Sequence, residues 1–125
     1  KLNRRSRRLV ELIDLYPTLC DLTGLVKPDH LQGQSLVALL KDPEAKWKSF
    51  AISRFSDGDS IRTDHFRYTK YSRPNGQALS QMLYDHKSDP VENTNVANQS
   101  NQAGILAKLL QANMGKPSPQ KQKSK

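Results

Sequence analysis

The chain has 125 residues and a formal charge of +8, with only 35% hydrophobic and 6% aromatic residues. That composition is thin for a self-sufficient core, so we expect a partner surface. The charge sits at the ends: nine of the 20 basic residues lie within residues 1–8 and 116–125, which leaves 11 basic against 12 acidic residues in 9–115. A uniformly basic, nucleic-acid-binding body is thereby excluded.

The cysteine count and the hydropathy exclude further classes. Cys20 is the only cysteine, so the chain has neither an internal disulfide nor a cysteine-rich zinc site. No apolar run approaches the ~20 residues that span a bilayer, and no signal peptide opens the chain. Because the first residue is Lys1 rather than Met, we expect a processed or truncated piece and leave its localisation open.

The first predicted element is a helix with one apolar stripe. The stripe residues recur at three- to four-residue spacing: Leu9, Leu12, Ile13, Tyr16, Leu19 and Cys20. Pro17 lacks an amide proton, so the helix proper is predicted to begin near Asp14, an N-cap residue, and to end at Gly24. The stripe has no obvious counterpart elsewhere in the chain, so we expect it to pack against protein outside these residues.

A loop, a short helix and an antiparallel sheet follow. Ser35 is the predicted cap of a short helix that ends before Pro43. Residues 50–55 alternate weakly, and residues 60–71 are rich in β-branched and aromatic residues around a polar Asp-His pair, which predicts a hairpin. Residues 82–84 predict one more short strand.

A helix and a tail end the chain. Ser100 is the predicted cap, and Gly115 and Pro117 are stop signals. The apolar stripe of this helix consists of Ile105, Leu106, Leu109, Leu110 and Met114. Residues 116–125 are predicted to be a disordered basic tail. The fold class is therefore α+β, with a small antiparallel sheet of about four strands packed by the C-terminal helix.

The hairpin register places two arginines side by side. With the Asp-His pair in a tight turn, Ile61 faces Tyr68 and Arg62 faces Arg67. Like charges in this arrangement are destabilising by up to about 1 kcal/mol unless an anion bridges them. Each guanidinium either binds an external anionic group, or pairs with a nearby carboxylate, or points to water. The nearby carboxylates are those of Asp57, Asp59 and Asp85.

The other reactive side chains predict no catalytic or metal site within this chain. His30, His65 and His86 are scattered without metal-ligand spacing, and no Gly-x-Ser-x-Gly turn is present. Cys20 lies on an apolar helix face, where a thiol is usually inert. Asn98, Gln99 and Ser100 match the Asn-x-Ser pattern of an N-glycosylation site. The presence of Ser100 is explained equally well by its predicted role as a helix cap.

The basic ends keep a second function class open. Such ends bind nucleic acid, heparin-like chains or anionic lipids through counterion release. Neither end has aromatic residues between its charges, and such runs are more often solvated. A small basic module that binds nucleic acid or glycosaminoglycan is the alternative hypothesis.

Four motifs in order resemble the C-terminal part of sulfatases of the alkaline-phosphatase superfamily. They are "LVELIDLYPTLCDLTGL", "LQGQSLVALLKDP", "SIRTDHFRYTKY" and "MLYDHKSDPVENTNVAN". The arginine-containing hairpin is most similar to that of iduronate-2-sulfatases and their bacterial relatives. The segment "VENTNVAN" departs from the commoner Glu-x-x-Asn-Leu-Ala form.

The resemblance implies a sulfate-ester hydrolase whose catalytic parts lie outside this chain. In that family a formylglycine, made from the cysteine of a Cys-x-Pro-x-Arg motif, attacks sulfur while calcium and basic residues hold the sulfate. Cys20 is not followed by that motif, so we expect no catalytic residue, metal ligand or bound cofactor here and no activity of this piece alone. Calcium and formylglycine are implied for the full-length enzyme.

The resemblance also implies domains, partners and a compartment. Residues 1–45 are expected to close the large α/β domain at its edge, and residues 46–115 to form the small C-terminal subdomain. The implied partners are the N-terminal large sulfatase domain and a sulfated carbohydrate, such as a glycosaminoglycan unit, with neither nucleic acid nor a membrane span. The implied compartment is secreted, periplasmic or lysosomal.

The hairpin is expected at the outer rim of the substrate pocket, where the loops of the small subdomain lie in that family. Arg62 is the first substrate-binding candidate, with Arg54, His65 and Arg67 behind it. A guanidinium holds a carboxylate or sulfate in a bidentate manner, whereas lysine offers a point charge. The alternative for Arg62 is a buried salt bridge at the domain interface.

Overall fold

The computed structural model describes residues 4–114. The chain divides into two compact units, whose described parts are residues 4–47 and 48–114. The predicted stop signals Gly115 and Pro117 and the predicted disordered tail lie outside the described residues.

The first unit contains two helices. A 3-10 turn at Leu12–Asp14 leads into α1, Leu15–Thr23, and α2 follows at Val37–Lys41. Gly24 ends α1 at a φ of 74°, a left-handed conformation that glycine adopts without steric cost. The predicted start near Asp14 and the predicted end at Gly24 are both confirmed.

Asp14 ties α1 to the loop before α2. Its fully buried carboxylate accepts hydrogen bonds from the backbone amides of Glu11 and Gln34, each at 2.8 Å. Thr18 repeats the connection, because its hydroxyl donates to the Asp14 carbonyl at 2.5 Å and accepts from the Leu36 amide at 2.8 Å. A carboxylate predicted as a simple helix cap thus joins two segments of the first unit.

Most of the predicted apolar stripe of α1 lies on the surface. Cys20 is buried, but Leu12 is 86% exposed, and Ile13, Tyr16 and Leu19 are each at least half exposed.

The basic residues at the start of the chain are partly engaged. Arg4 donates to the Lys41 carbonyl at 3.1 Å, and Arg8 donates to the Glu44 carbonyl at 2.7 Å. Cations at the carbonyl end of a helix interact favourably with its dipole. This segment therefore fastens to the end of α2, which uses two of the charges on which the alternative binding hypothesis depends.

The second unit is a four-stranded antiparallel sheet in the order β1-β2-β3-β4, followed by one helix. The elements are β1 Phe50–Phe55, β2 Gly58–Thr63, β3 Phe66–Ser72, β4 Ala78–Asp85 and α3 Gln102–Asn113. The predicted α+β class is confirmed. The prediction for β4 was too short, because the exposed residues before Met82, beginning at Ala78, also belong to the strand that pairs with β3.

The core lies between one sheet face and α3. Ile61, Tyr68 and Leu83 are neighbours across three strands and are buried together with residues of the helix. The buried helix residues are Ala103, Leu106 and Leu110. Ile105 was wrongly predicted for this stripe: it is 56% exposed, and Ala103 occupies the buried position.

Candidate functional site

The sheet face opposite α3 carries the two arginines of the hairpin. The predicted register is confirmed, since Ile61 pairs with Tyr68 and Arg62 pairs with Arg67. Successive strand residues point to opposite faces, so the arginines lie away from the core side chains. Tyr84 is next in the same row, paired with Arg67.

Glu92 supplies a carboxylate to one arginine of the pair, Arg67. Its carboxylate forms an ion pair with the Arg67 guanidinium through one oxygen, and its other oxygen lies 2.5 Å from His86 Nε2. The guanidinium carbon of Arg67 also lies 5.5 Å from the centre of the Tyr84 ring. The partner of Arg67 is therefore a carboxylate of this chain. It differs from the three carboxylates that the sequence suggested.

Arg62 has no carboxylate partner among residues 4–114. Its Nε donates to the Thr63 carbonyl at 3.1 Å, and its Nη1 lies 3.2 Å from His86 Nε2. The side chain is half-buried. A guanidinium has five N–H donors, so Arg62 retains donors for a further acceptor.

The loop after β4 is fixed by hydrogen bonds to its own backbone. The Asp89 carboxylate accepts from the Thr94 amide at 2.8 Å, and hydrogen bonds from the backbone amides of Asn93 and Thr94 hold the pKa of Asp89 below its usual range. Glu92 has a φ of 60°, in the left-handed region. Residues other than glycine are seldom found there, and in this conformation the Glu92 carboxylate reaches Arg67 and His86.

The same loop is fastened along the outer edge of β4. Asn95 Oδ1 accepts from the Leu83 amide at 2.9 Å, and the Val96 amide donates to the Leu83 carbonyl at 2.9 Å. Nearer its start, the His86 amide donates to the His65 carbonyl at 2.7 Å. These bonds satisfy an otherwise open strand edge and place His86 and Glu92 beside the hairpin.

The four predicted site residues are only partly brought together. Arg62 and Arg67 join one cluster through His86 and Glu92, whereas His65 is exposed in the turn and reaches the cluster through its carbonyl alone. Arg54 lies elsewhere and is 65% exposed at its side chain.

Arg54 is engaged by a carboxylate. It donates in a bidentate manner to Asp59, at 2.6 and 3.0 Å. The hydrogen bond and the charge of Asp59 raise the pKa of Arg54. Substrate binding by any of the four residues remains a prediction.

His86 and Glu92 are the members of the cluster that the sequence did not reveal. Both lie in the motif "MLYDHKSDPVENTNVAN", and the opposed arginines did predict an anion. The opposed arginines were thus a usable signal for an anion. Three carboxylates closer to the hairpin in sequence were nearer candidates than Glu92.

No group of three or more metal-ligating side chains is found within residues 4–114. None of the helices in that range has the length and apolar character that crossing a bilayer requires. The second unit is a small α+β fold with the arginine pair on the sheet face away from α3.

Comparison with known proteins identifies the family to which the chain belongs. Residues 1–118 match the family described as N-sulphoglucosamine sulphohydrolase, C-terminal. The chain belongs to this family of C-terminal sulfatase domains, so the resemblance to sulfatases seen in the sequence is confirmed.

Two curated relatives and one solved structure show similarity at the level of single proteins. The chain is 35% identical over 102 residues to arylsulfatase K of Homo sapiens, covering 71% of this chain and 19% of the relative. It is 34% identical over 104 residues to the Delta 4,5-hexuronate-2-O-sulfatase of Bacteroides thetaiotaomicron, covering 76% and 21%. The phosphonate monoester hydrolase of Agrobacterium radiobacter superposes with a TM-score of 0.70 at 31% identity, over 88% of this chain and 26% of that one.

The chain spans about a fifth of the length of the curated relatives it matches. The similarity to C-terminal sulfatase segments extends over most of the chain, including the sheet unit, and not over its basic ends alone. It therefore favours the sulfatase hypothesis over that of a basic binding module.

Proposed function

We propose that this chain acts as the C-terminal part of a sulfatase that hydrolyses sulfate esters of sulfated sugars, such as glycosaminoglycan units. The family match over residues 1–118 carries the proposal. The Bacteroides relative is a hexuronate-2-O-sulfatase, which supports a sulfated uronic acid as the substrate class, as in iduronate-2-sulfatases.

The catalytic chemistry belongs to a part of the enzyme outside this chain. Cys20 is buried and lacks the Cys-x-Pro-x-Arg context of a formylglycine precursor. In the complete enzyme, a formylglycine would supply the nucleophile, and a metal ion would help to hold the sulfate. The residues of this chain do other work: they support the fold and line the rim of the substrate pocket.

The partner of this chain is the large N-terminal sulfatase domain, which packs against the exposed face of α1. Leu12, Tyr16 and Leu19 lie on that face. A contiguous exposed apolar patch of this kind typically marks an interaction surface. Burial of each large apolar side chain contributes about 1.5–3 kcal/mol, so three of them form a substantial contact.

Arg62 is the residue of this chain that we assign to the anionic group of the substrate. Arg67 and Arg54 are each paired with a carboxylate, whereas Arg62 has a carbonyl and an imidazole nitrogen as its partners among the described residues. Arg67 and His65 then support Arg62 from the same cluster and the adjacent turn. Arg54 is the weakest of the four candidates, because its Nε and Nη2 atoms already donate to the Asp59 carboxylate.

The test uses the complete sulfatase with Arg62→Ala. We expect kcat/KM for a charged sugar sulfate to fall by about tenfold or more, because a charge-assisted bidentate contact is lost, with a smaller effect on a neutral aryl sulfate. Arg73→Ala is the matched control, since Arg73 is exposed and its side chain donates to Gln77 near the β3-β4 turn. Equal losses on both substrates with a lowered melting temperature would assign Arg62 a structural role.

A second test addresses the division of labour. The isolated chain should not hydrolyse an aryl sulfate even with calcium present. Turnover that depends on a side chain inside these residues would refute the proposal.

The similarity to a phosphonate monoester hydrolase supports a second candidate, ester hydrolysis at phosphorus. The two are separated by assaying the complete enzyme with an aryl sulfate and an aryl phosphonate monoester. Preference for the phosphonate would favour the second candidate.

A further inference from the structure

We infer that His86 is a positioning residue for Arg62, and that the protonation of its ring sets how strongly Arg62 holds an anionic group. This inference rests on the proposed role of Arg62. It adds a residue that the sequence did not single out and a pH dependence that the proposed role alone does not require.

One ring nitrogen of His86 contacts two groups with opposite needs. Nε2 lies 2.5 Å from a Glu92 carboxylate oxygen and 3.2 Å from Arg62 Nη1. A ring nitrogen either donates or accepts a hydrogen bond, and the carboxylate accepts only. A separation of 2.5 Å from the carboxylate requires a proton between the two atoms, so Nε2 donates to Glu92. Nη1 of Arg62 then has no lone pair to bond on His86.

The other ring nitrogen has no partner. His86 Nδ1 is buried without a hydrogen bond among the described residues, and the side chain is only 7% exposed. In the neutral ring Nδ1 is an unpaired acceptor, and in the charged ring it is an unpaired donor. A ring with one orphan atom in each state is not locked into either state by hydrogen bonding.

Charged groups reach the ring from three elements. Arg62 lies on β2 and Arg67 on β3, while Glu92 and Asp89 belong to the loop after β4. Glu92 already serves Arg67 as well as the ring. A proton added to His86 therefore increases the positive charge beside Arg62 without a new carboxylate to compensate for it.

The expected direction follows from these contacts. In both states Nε2 keeps its proton toward Glu92, so the two states differ in the charge of the ring. The charged ring adds a positive charge 3.2 Å from Arg62 Nη1 and repels the guanidinium toward an incoming anion, whereas the neutral ring adds none. Anion affinity should therefore rise as pH falls and the ring gains a proton.

The experiment titrates the 125-residue chain with inorganic sulfate and, separately, with glucuronate, from pH 8 to pH 5, observing the Arg62 Nε–H signal by NMR. We expect binding about three- to fivefold tighter at the acidic end, the size of one added charge near a surface. Sulfate binding without glucuronate binding identifies the sulfate group as the ligand, and the reverse identifies the carboxylate. Both patterns support the inference when they show the pH dependence.

Variants separate this inference from the proposed role of Arg62. His86→Gln should bind with the affinity unchanged by pH, while His30→Gln, in an exposed loop of the first unit, should behave as the unmodified chain. In the unmodified chain, the chemical shifts of the His86 ring nitrogens and of the Arg62 Nε–H should change with pH about one common midpoint. This measurement tests the inference even where His86→Gln does not fold.

Two outcomes overturn the inference in different ways. Arg62-dependent binding with the same pH profile in His86→Gln, or separate titration midpoints, leaves the Arg62 site intact and removes His86 from it. Binding that Arg62→Lys or Arg62→Ala leaves unaltered removes the Arg62 site itself, and with it the role of His86.

Discussion

Replacing Glu92 with glutamine should uncouple the hairpin from the loop after β4. The carboxylate is 19% exposed and holds both Arg67 and His86. Glutamine keeps the size of the side chain but removes the negative charge. The substitution also leaves Arg67 opposite Arg62 without its carboxylate partner.

The size of the effect follows from the burial of each partner. Arg67 is 41% exposed, so its ion pair is discounted to the ~0.2–1 kcal/mol of a surface pair. The bond to the 7% exposed His86 falls in the ~1.5–3 kcal/mol range of a hydrogen bond to a charged group. Unbridged like charges across the strands cost up to about 1 kcal/mol. We expect Glu92→Gln to lose roughly 2–4 kcal/mol, with the lower end favoured because glutamine retains some hydrogen bonding.

The assay is thermal and urea unfolding of the chain, monitored by circular dichroism. For a domain of this size about 4–8 °C is lost per kcal/mol, so a loss of about 2 kcal/mol should lower the melting temperature by roughly 8–16 °C. Glu44→Gln is the matched control, because Glu44 is 77% exposed and paired with Arg8, and it should change stability by less than about 0.5 kcal/mol.

A double-mutant cycle tests the pairwise contact. Arg67→Gln combined with Glu92→Gln removes the opposed like charge together with its counter-anion, so the double variant should be more stable than the sum of the single losses predicts. Strict additivity, or a Glu92→Gln variant as stable as Glu44→Gln, would refute Glu92 as the bridging anion.

Three further predictions concern packing and titration. Gly33→Ala should lower the free energy of unfolding by about 2 kcal/mol or more, because the added Cβ would lie 1.9 Å from the Ile13 carbonyl oxygen. Gly104→Ala is the control: its Cβ meets nothing within 4 Å, so the change should stabilise α3 slightly. Equal melting temperatures for the two variants would contradict this prediction. Burial raises the pKa of Tyr68 above 10.0, so the folded state holds that proton more tightly than the unfolded chain and stability should fall as pH rises above about 10; Tyr68→Phe should weaken this slope in urea midpoints measured from about pH 8 to 11. Backbone hydrogen bonds lower the pKa of Asp89 below 3.8, so their stabilisation is present above that pH and is lost as pH falls through the folded value; an Asp89→Asn variant with the same acid dependence would exclude Asp89 as its source.

The sequence by itself determined the features that depend on neighbouring residues. A two-residue turn leaves a hairpin one register, so the pairs Ile61 with Tyr68 and Arg62 with Arg67 followed from counting outward from the turn. The start and end of α1 followed from Pro17 and Gly24, whose effects act on the backbone within one helical turn. The four motifs indicated the sulfatase family for a similar reason, since each is a contiguous stretch of residues and their order is the order of the chain.

Features that depend on contacts between distant residues were decided by the tertiary structure. β4 begins at Ala78, ahead of the predicted residues 82–84, because backbone pairing with β3 defines the strand rather than burial of its side chains. The buried face of α3 passes through Ala103 instead of Ile105 because it is set by where the sheet lies.

The partner of Arg67 shows the same limit at the candidate site. The hairpin predicted that an anion was needed but left its identity open among several carboxylates. Glu92 fills the position only because the loop after β4 turns back over the sheet, fastened by Asn95 and bent at Glu92 itself. Charge requirements can be read from local pairing, whereas the group that meets them is selected by the path of the chain in three dimensions.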